Sequence, residues 1–234
     1  MIICLETSTS MCSVALCDNA GVIALRESDK DKSHASALTV YIDELLKESG
    51  LKAKDLEAVA VSKGPGSFTG LRIGVSVAKG IAYAASIPII GVDTTLSMFY
   101  GLIDMPHIKS ITDSSTLFCP MLDARRSEVY YAVYDPEGRL FKGISASVID
   151  GDSFMDIPAS HKIIFFGDGS AKCKELIKRG NIYFENEYRI SATHMQKPAY
   201  EAIATKNFED VAYFEPFYLK DFLVTKPVKN ILGQ

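Results

Sequence analysis

The chain has 234 residues, of which 47% are hydrophobic and 23% charged, and its formal net charge at pH 7 is -4. This composition is typical of a folded globular protein and excludes an intrinsically disordered chain. It also argues against strong nucleic-acid binding by this chain alone, because such binding depends on many Lys and Arg contacts to phosphates. The five cysteines form no C-x-x-C pair, which argues against a disulfide framework and a zinc site.

Hydrophobic periodicity predicts three strands at the N-terminus, followed by helices that alternate with strands. The predicted elements are strands 2–6, 12–17 and 22–27, a helix from Ser33 to about Glu48, strand 58–62, helix 70–85, strand 87–92, and a helix from Asp93 to about Leu102. This order predicts a mixed sheet covered by helices. No segment has the length and apolar character of a membrane span, and we expect a cytoplasmic protein.

A change of composition at residues 103–116 suggests a boundary between two lobes. The predicted elements beyond it are strands 117–122, 128–134, 139–145 and 162–166, and helices 171–179 and 199–208. We therefore divide the chain into an N-terminal lobe, residues 1–103, and a C-terminal lobe, residues 104–212. Residues 213–234 form an aromatic tail that we expect to pack back on the body of the protein.

A glycine-rich loop, K-G-P-G-S-F-T-G, leads directly into the predicted helix 70–85. Such a loop can bind phosphate through backbone N–H groups at a helix N-terminus. The spacing matches neither a P-loop nor G-x-G-x-x-G, so we favour a second interpretation, a helix packed closely against another helix or chain. Small residues recur every four positions and share one helix face: Gly70, Gly74, Ala78 and Ala82.

An acidic residue ends the first strand, and a Thr/Ser-rich turn follows it. Glu6 with residues 7–10 could hold the phosphates and metal of a nucleotide, but a simple polar turn is the favoured interpretation. No residue is assigned a catalytic role. The weak candidates for cofactor binding are Glu6, Thr7, Ser8, Gly66 and Ser67.

Five motifs occur in one order along the chain: L-E-T-S-T-S-M-C-S-V-A-L, K-G-P-G-S-F-T-G-L-R-I-G, I-I-G-V-D-T-T, L-D-A-R-R-S-E-V-Y-Y-A-V-Y-D and E-P-F-Y-L-K. Together they closely resemble the TsaB (YeaZ-like) family, whose members take part in making threonylcarbamoyladenosine in tRNA. The resemblance implies a two-lobed α/β fold of the actin/Hsp70/sugar-kinase (ASKHA) kind, each lobe a mixed sheet with flanking helices. It also implies a non-catalytic scaffold that forms a heterodimer with the catalytic TsaD paralogue.

The resemblance further implies a larger complex with the TsaE-type ATPase, a possible homodimer when alone, and only indirect contact with tRNA. ATP and metal are expected on the partner subunits, and no cofactor is required by this chain. Thr94 and Met98 stand where the paralogue has the two histidines of a metal-binding H-x-x-x-H. A hydroxyl and a thioether are poor ligands for such an ion, so no metal site is expected here.

The resemblance places the partner interface on the first-lobe helices, where small and apolar residues suit close helix crossing. We expect Gly74→Leu to weaken pairing and to leave the protein folded. The predicted interface residues are Leu38, Tyr41, Leu45, Gly70, Ile73, Gly74, Val77, Ala78, Ile81 and Ala82.

Two rival functions are weighed against the scaffold. A small-molecule kinase or ATPase would use Glu6 for a metal, and a glycoprotease-like peptidase would need a nucleophile and a base, although the chain has no G-x-S-x-G motif. Arg125 and Arg126 also have two interpretations. In the first interpretation they contact tRNA or an acidic partner surface. In the second they form salt bridges with Asp123 and Glu128, and this structural interpretation is favoured in an acidic chain.

Overall fold

A computed structural model describes residues 1–29 and 34–219 and contains two five-stranded mixed sheets. The first sheet and its helices comprise β1 (Ile2–Glu6), β2 (Cys12–Cys17), β3 (Val22–Ser28), α1 (His34–Glu48), β4 (Ala58–Gly64), α2 (Phe68–Ala85) and β5 (Ile89–Asp93). The remaining elements are α3 (Thr94–Ile103), α4 (Pro106–Ile111), β6 (Thr116–Asp123), β7 (Glu128–Tyr134), β8 (Leu140–Val148), β9 (Lys162–Phe166), β10 (Ile182–Glu185) and α5 (Gln196–Thr205).

The two sheets have the same topology. The strand order is β3-β2-β1-β4-β5 in the first sheet and β10-β9-β6-β7-β8 in the second, so the second order reversed reproduces the first. In each sheet the first three strands form an antiparallel meander and the last two add in parallel. This duplicated arrangement confirms the predicted two-lobed α/β fold.

Both faces of the first sheet are buried, which explains why its central strands are apolar without alternation. One face packs on α1 and α2, and its core contains Leu5, Leu38, Val61 and Val75. The opposite face packs on the start of α5 and on the short 3₁₀ helix Ala192–Met195 that precedes it. Residues 192–205 were predicted to belong to the second lobe, and this part of the boundary is wrong, because their apolar side chains cover the first sheet.

The second sheet packs on α3 through an aromatic cluster that includes Phe99, Phe118 and Tyr134. Its other face is covered by irregular chain from the connections β8–β9 and β9–β10, which contribute Phe154 and Ile177. The buried Arg179 guanidinium links the two connections by hydrogen bonds. It lies in the β9–β10 connection and donates to carbonyl oxygens of the β8–β9 connection, those of Phe154, Ile157, Pro158 and His161.

The predicted helix 171–179 is wrong. Residues 171–173 form a single 3₁₀ turn and the chain then continues through turns, because tertiary contacts of Arg179 override the helix propensity of the segment. The prediction also missed α4 and β10, both of which are short. The predicted helix 199–208 begins earlier, at Gln196, and ends at Thr205. The expected N-cap of α1, Ser33, lies outside the described residues.

The start of the tail contacts the first lobe. Phe214 is buried in the core beside α1 and α2, and the Lys79 ammonium donates to the carbonyl oxygens of Ala212 and Phe214. Further along, the backbone N–H of Phe217 donates to the carbonyl oxygen of Lys63 at 2.6 Å. The prediction for residues 220–234 lies outside the described part of the chain. Among the described residues, no helix is long and apolar enough to cross a bilayer.

Candidate functional site

The glycine-rich loop packs directly against the turn that follows β1. A Cβ atom at Gly66 would lie 2.5 Å from the carbonyl oxygen of Ser8, and one at Gly70 would overlap the carbonyl oxygen of Thr7. The backbone N–H of Ser67 donates to the Ser8 carbonyl at 2.6 Å, and the Ser67 hydroxyl caps α2 by accepting from the N–H of Gly70. The loop and the turn after β1 are therefore packed against each other through backbone atoms, which favours the close-packing interpretation of this loop over phosphate binding.

The small-residue face of α2 contacts the protein's own chain. A Cβ atom at Gly74 would overlap the Thr7 hydroxyl and would lie 3.4 Å from the Val61 side chain. The close packing predicted for this helix is thus internal, and Gly74→Leu should disturb the fold, contrary to our expectation from the sequence. The predicted interface residues that point inward in this way are Leu38, Leu45, Gly70, Gly74, Ala78 and Ala82. The others are only partly buried at the edge of the core: Tyr41, Ile73, Val77 and Ile81.

Glu6 is a fully buried carboxyl group at the end of β1. Its Oε1 atom accepts from the backbone N–H of Ser8 at 2.6 Å, and its Oε2 atom has no partner within the described residues. Burial raises the pKa of Glu6, and hydrogen bonds from Ser8 and Ser62 only partly oppose that shift. Because the folded protein favours the protonated form, Glu6 stabilises the fold less as pH rises from the ordinary carboxyl range toward its raised pKa.

Glu6→Gln is expected to raise the free energy of unfolding at pH 7 by about 1–2 kcal/mol, because a neutral amide costs less to bury than a carboxylate. The same variant should lose the part of the pH dependence described above. Urea unfolding between pH 5 and pH 8 measures both effects, with the exposed Glu175→Gln as the control. A variant less stable than the native protein at pH 7, with an unchanged pH profile, would contradict this account of Glu6.

A cleft of about 340 Å³ lies between the two lobes, at the carboxyl ends of their strands. The first lobe contributes Thr9, Ser10 and Met11, and the second contributes residues from the loops after β9 and β10. None of the five sequence-predicted cofactor residues lines this cleft: Glu6, Thr7, Ser8, Gly66 and Ser67. The structure brings these five residues together as a packing contact between β1, the glycine loop and α2.

The charges that line the cleft are mainly acidic and are engaged within the protein. Asp29 pairs with Arg189 at 3.6 Å, and Glu185 pairs with His107 at 2.6 Å. Asp168 accepts from the backbone N–H of Asp123. Acidic side chains repel the phosphates of a nucleotide unless a cation lies between them, so this lining does not by itself favour a free nucleoside triphosphate. Sequence reasoning missed these residues because they are far apart along the chain and form no spaced motif.

Thr94 and Met98, which stand where the paralogue has two metal-binding histidines, have other surroundings in this structure. Met98 is buried in the core of the second lobe, and the Thr94 hydroxyl is buried without a hydrogen-bond partner among the described residues. In the described ranges, no group of three or more His, Cys, Asp or Glu side chains is arranged to hold a metal ion.

The histidines and cysteines offer no nucleophile paired with a base. His34 contacts the Thr9 carbonyl oxygen and His194 contacts the Tyr188 hydroxyl, and no histidine of the described chain hydrogen-bonds a Ser or Cys side chain. All five thiols are buried. Burial raises the pKa of Cys12 to about 11, which keeps that thiol protonated at neutral pH.

An open apolar groove runs along the outer side of α1 and α2. It has a volume of about 560 Å³ and is lined by Thr39, residues 52–54, and the α2 residues Val77, Gly80, Ile81, Ala84 and Ala85. A Cβ atom at Gly80 would meet no atom within 4 Å. Next to the groove, Val40 is 49% exposed. The α2 part of the groove is apolar and is flanked by Lys52 and Lys54, and an apolar surface with a polar rim is typical of an interaction site. The sequence signal for it was Gly80, an unfavourable residue inside a helix.

Together, the duplicated sheets and the cleft between them define a two-lobed α/β protein of the ASKHA kind. Comparison with protein-family models matches residues 27–222 to the family described as TsaD, tRNA N6-adenosine threonylcarbamoyltransferase. The TsaB protein of Haemophilus influenzae, a tRNA threonylcarbamoyladenosine biosynthesis protein, is 32% identical over 96% of this chain and 95% of its own length. The chain belongs to the TsaB family.

Two further TsaB proteins support this assignment. The Bacillus subtilis protein is 27% identical over 94% of this chain and 93% of its own length. The match to the Escherichia coli protein is 35% identical and covers 57% of this chain and 54% of that protein. Among solved structures, YeaZ from Pseudomonas aeruginosa superposes with a TM-score of 0.75 at 24% identity, covering 93% of this chain and 99% of that one. This structural likeness supports the fold.

Proposed function

We propose that this chain is the non-catalytic scaffold subunit of the complex that makes threonylcarbamoyladenosine in tRNA, and that it activates a TsaD-type threonylcarbamoyltransferase by pairing with it. Membership of the TsaB family supports the pathway. The main structural support for the scaffold role is a contrast between two surfaces of the chain. The glycine-rich loop packs on the protein's own backbone, whereas the α1–α2 groove is open.

The groove suits a helix of the partner. It is lined by Gly80, whose missing side chain leaves room for close approach of another backbone, and by Val77 and Ile81, which supply apolar area beside it. The family-model match to TsaD indicates that the partner has a related fold. Two related lobes presenting equivalent helices would form a quasi-symmetric helical bundle, and a homodimer of this chain would use the same surface.

In this proposal the chemistry belongs to the partner subunits. ATP and metal bind to the transferase and to the TsaE-type ATPase, and this chain requires no cofactor of its own. The acidic lining of the interlobe cleft supports that division. Action on tRNA would place the complex in the cytoplasm. The kinase and peptidase alternatives receive no support from the site, since each needs groups that the described cleft does not present.

Gly80→Glu is expected to weaken pairing with the transferase at least 100-fold, because it places a charge and a side chain in the apolar centre of the interface. Size-exclusion chromatography and calorimetry measure pairing, and a tRNA modification assay with each subunit omitted in turn measures activity. The matched control is Ala204→Glu, an exposed helical position on α5 outside the groove.

The variant should remain folded, since Gly80 has open space around it and glycine is the less favourable helix residue. Loss of modification in Gly80→Glu alone, with both variants folded, would support the proposal. Undiminished pairing of Gly80→Glu would exclude this interface. Modification that proceeds without this chain would exclude the scaffold function itself.

A further inference from the structure

The turn that joins β6 to β7 has an unusual backbone. Arg125 and Arg126 are both in the left-handed region, with φ values of 70° and 52°. Consecutive residues in this conformation are normally Asn or Gly, because side chains with a Cβ atom are strained there. Both arginines are exposed, so burial does not compensate for the strain. Backbone strain of this kind tends to occur where a residue has a function.

Acidic and basic groups beneath the turn hold its backbone in place. Asp123 Oδ1 accepts from the backbone N–H of Arg125 at 2.7 Å and from the Lys172 ammonium at 2.6 Å. Lys172 also donates to the carbonyl oxygens of Arg126 and Glu128. Of the two salt-bridge partners that we predicted for the arginines, Asp123 pairs directly with Lys172, and the charge of Arg125 acts on it only at longer range.

The two guanidinium groups are left available for a ligand. Within the described chain, no direct hydrogen bond or ion pair joins the Arg125 or Arg126 side chain to another residue, although the charge of Arg125 helps to lower the pKa of Asp123. Guanidinium groups bind phosphate oxygens through paired, charge-assisted hydrogen bonds. A turn whose backbone is already held in place needs little ordering when its two arginines bind an anionic partner.

We propose that Arg125 and Arg126 contact the phosphate backbone of the RNA that the complex modifies. This inference rests on the proposed function, which supplies RNA as the polyanion. It differs from our expectation that tRNA is contacted only indirectly. It agrees with the acidic composition, because two phosphate contacts add to the affinity of an assembled complex without giving this chain strong RNA binding alone.

The test replaces Arg125→Asn and Arg126→Gly together, a pair that suits the left-handed turn. The melting temperature should be at least that of the native protein, and pairing with the transferase should be unchanged. Affinity of the reconstituted complex for unmodified tRNA should fall about 10-fold, and the slope of log K against log salt concentration should decrease by about 1–2. Filter binding over a KCl series measures both quantities.

Lys206→Gly is the matched control for the single variant Arg126→Gly. Lys206 is also exposed and left-handed, with φ of 56°, but it lies at the end of α5. Only Arg126→Gly should weaken RNA binding. Three results would each overturn the proposal. They are an unchanged RNA affinity and salt slope, an equal loss of affinity in both single variants, and a loss of pairing with the transferase. The last result would assign the turn to a protein partner. Failure of the proposed function is recognised separately, as modification by the native proteins that does not require this chain.

Discussion

Gly70→Ala is expected to lower the free energy of unfolding by about 3 kcal/mol, the upper part of the range for overpacking a closely fitted site. The added Cβ atom would overlap the carbonyl oxygen of Thr7, which is backbone and cannot rotate away. Relief requires α2 to move off the turn after β1, and this movement would also weaken the hydrogen bond from the Ser67 N–H to the Ser8 carbonyl. Urea unfolding followed by circular dichroism measures the loss.

Gly80→Ala provides the control on the same helix. Gly80 has no atom within 4 Å of its potential Cβ position, so alanine should gain its intrinsic helix preference, about 1 kcal/mol. Replacing glycine by alanine is thus expected to lower the free energy of unfolding at position 70 and to raise it at position 80. If Gly70→Ala were as stable as Gly80→Ala, the close contact between α2 and the turn after β1 would not exist in solution.

The contribution of His194 to stability is expected to fall by roughly 3 kcal/mol as pH decreases from 6.5 to about 4, through protonation of His194 in the unfolded chain, and Glu6 acts in the opposite direction over part of this range. Burial lowers the pKa of His194 to about 4, and the charge of Asp104 only partly opposes this shift. The ring lies against Gly101 of α3, where a Cβ atom would overlap it, and Nδ1 is 3.1 Å from the Tyr188 hydroxyl. Between the two pKa values the unfolded chain binds the proton and the folded protein does not, so stability rises with pH.

His194→Asn removes the titrating group and keeps a hydrogen-bonding atom near the Tyr188 hydroxyl. The variant should be less stable at pH 7, because it loses ring packing, but its stability should change less between pH 6.5 and pH 4. Tyr188→Phe keeps the imidazole buried and should retain the native pH dependence. Urea unfolding at intervals of half a pH unit separates the two variants. A native-like slope in His194→Asn would assign the acid sensitivity to other groups.

The first lobe was predictable because its strands and helices are long and regularly periodic. The predicted strands 2–6 and 12–17 agree with β1 and β2, and helix 70–85 differs from α2 by only two residues at its start. The second lobe was less predictable. Its crossover connections contain turns and one 3₁₀ helix, and buried contacts such as those of Arg179 determine their conformation.

Local pattern and motif order thus determined the fold class and the family. They could not determine which way a helix face points. The small residues of α2 were equally compatible with a partner and with the protein's own sheet, since both require close approach. Only the tertiary structure showed that Gly70 and Gly74 contact Thr7, and that Gly80 is open. The reason is physical: periodicity identifies the residues that share a face, whereas the direction of that face depends on contacts between segments far apart in the chain.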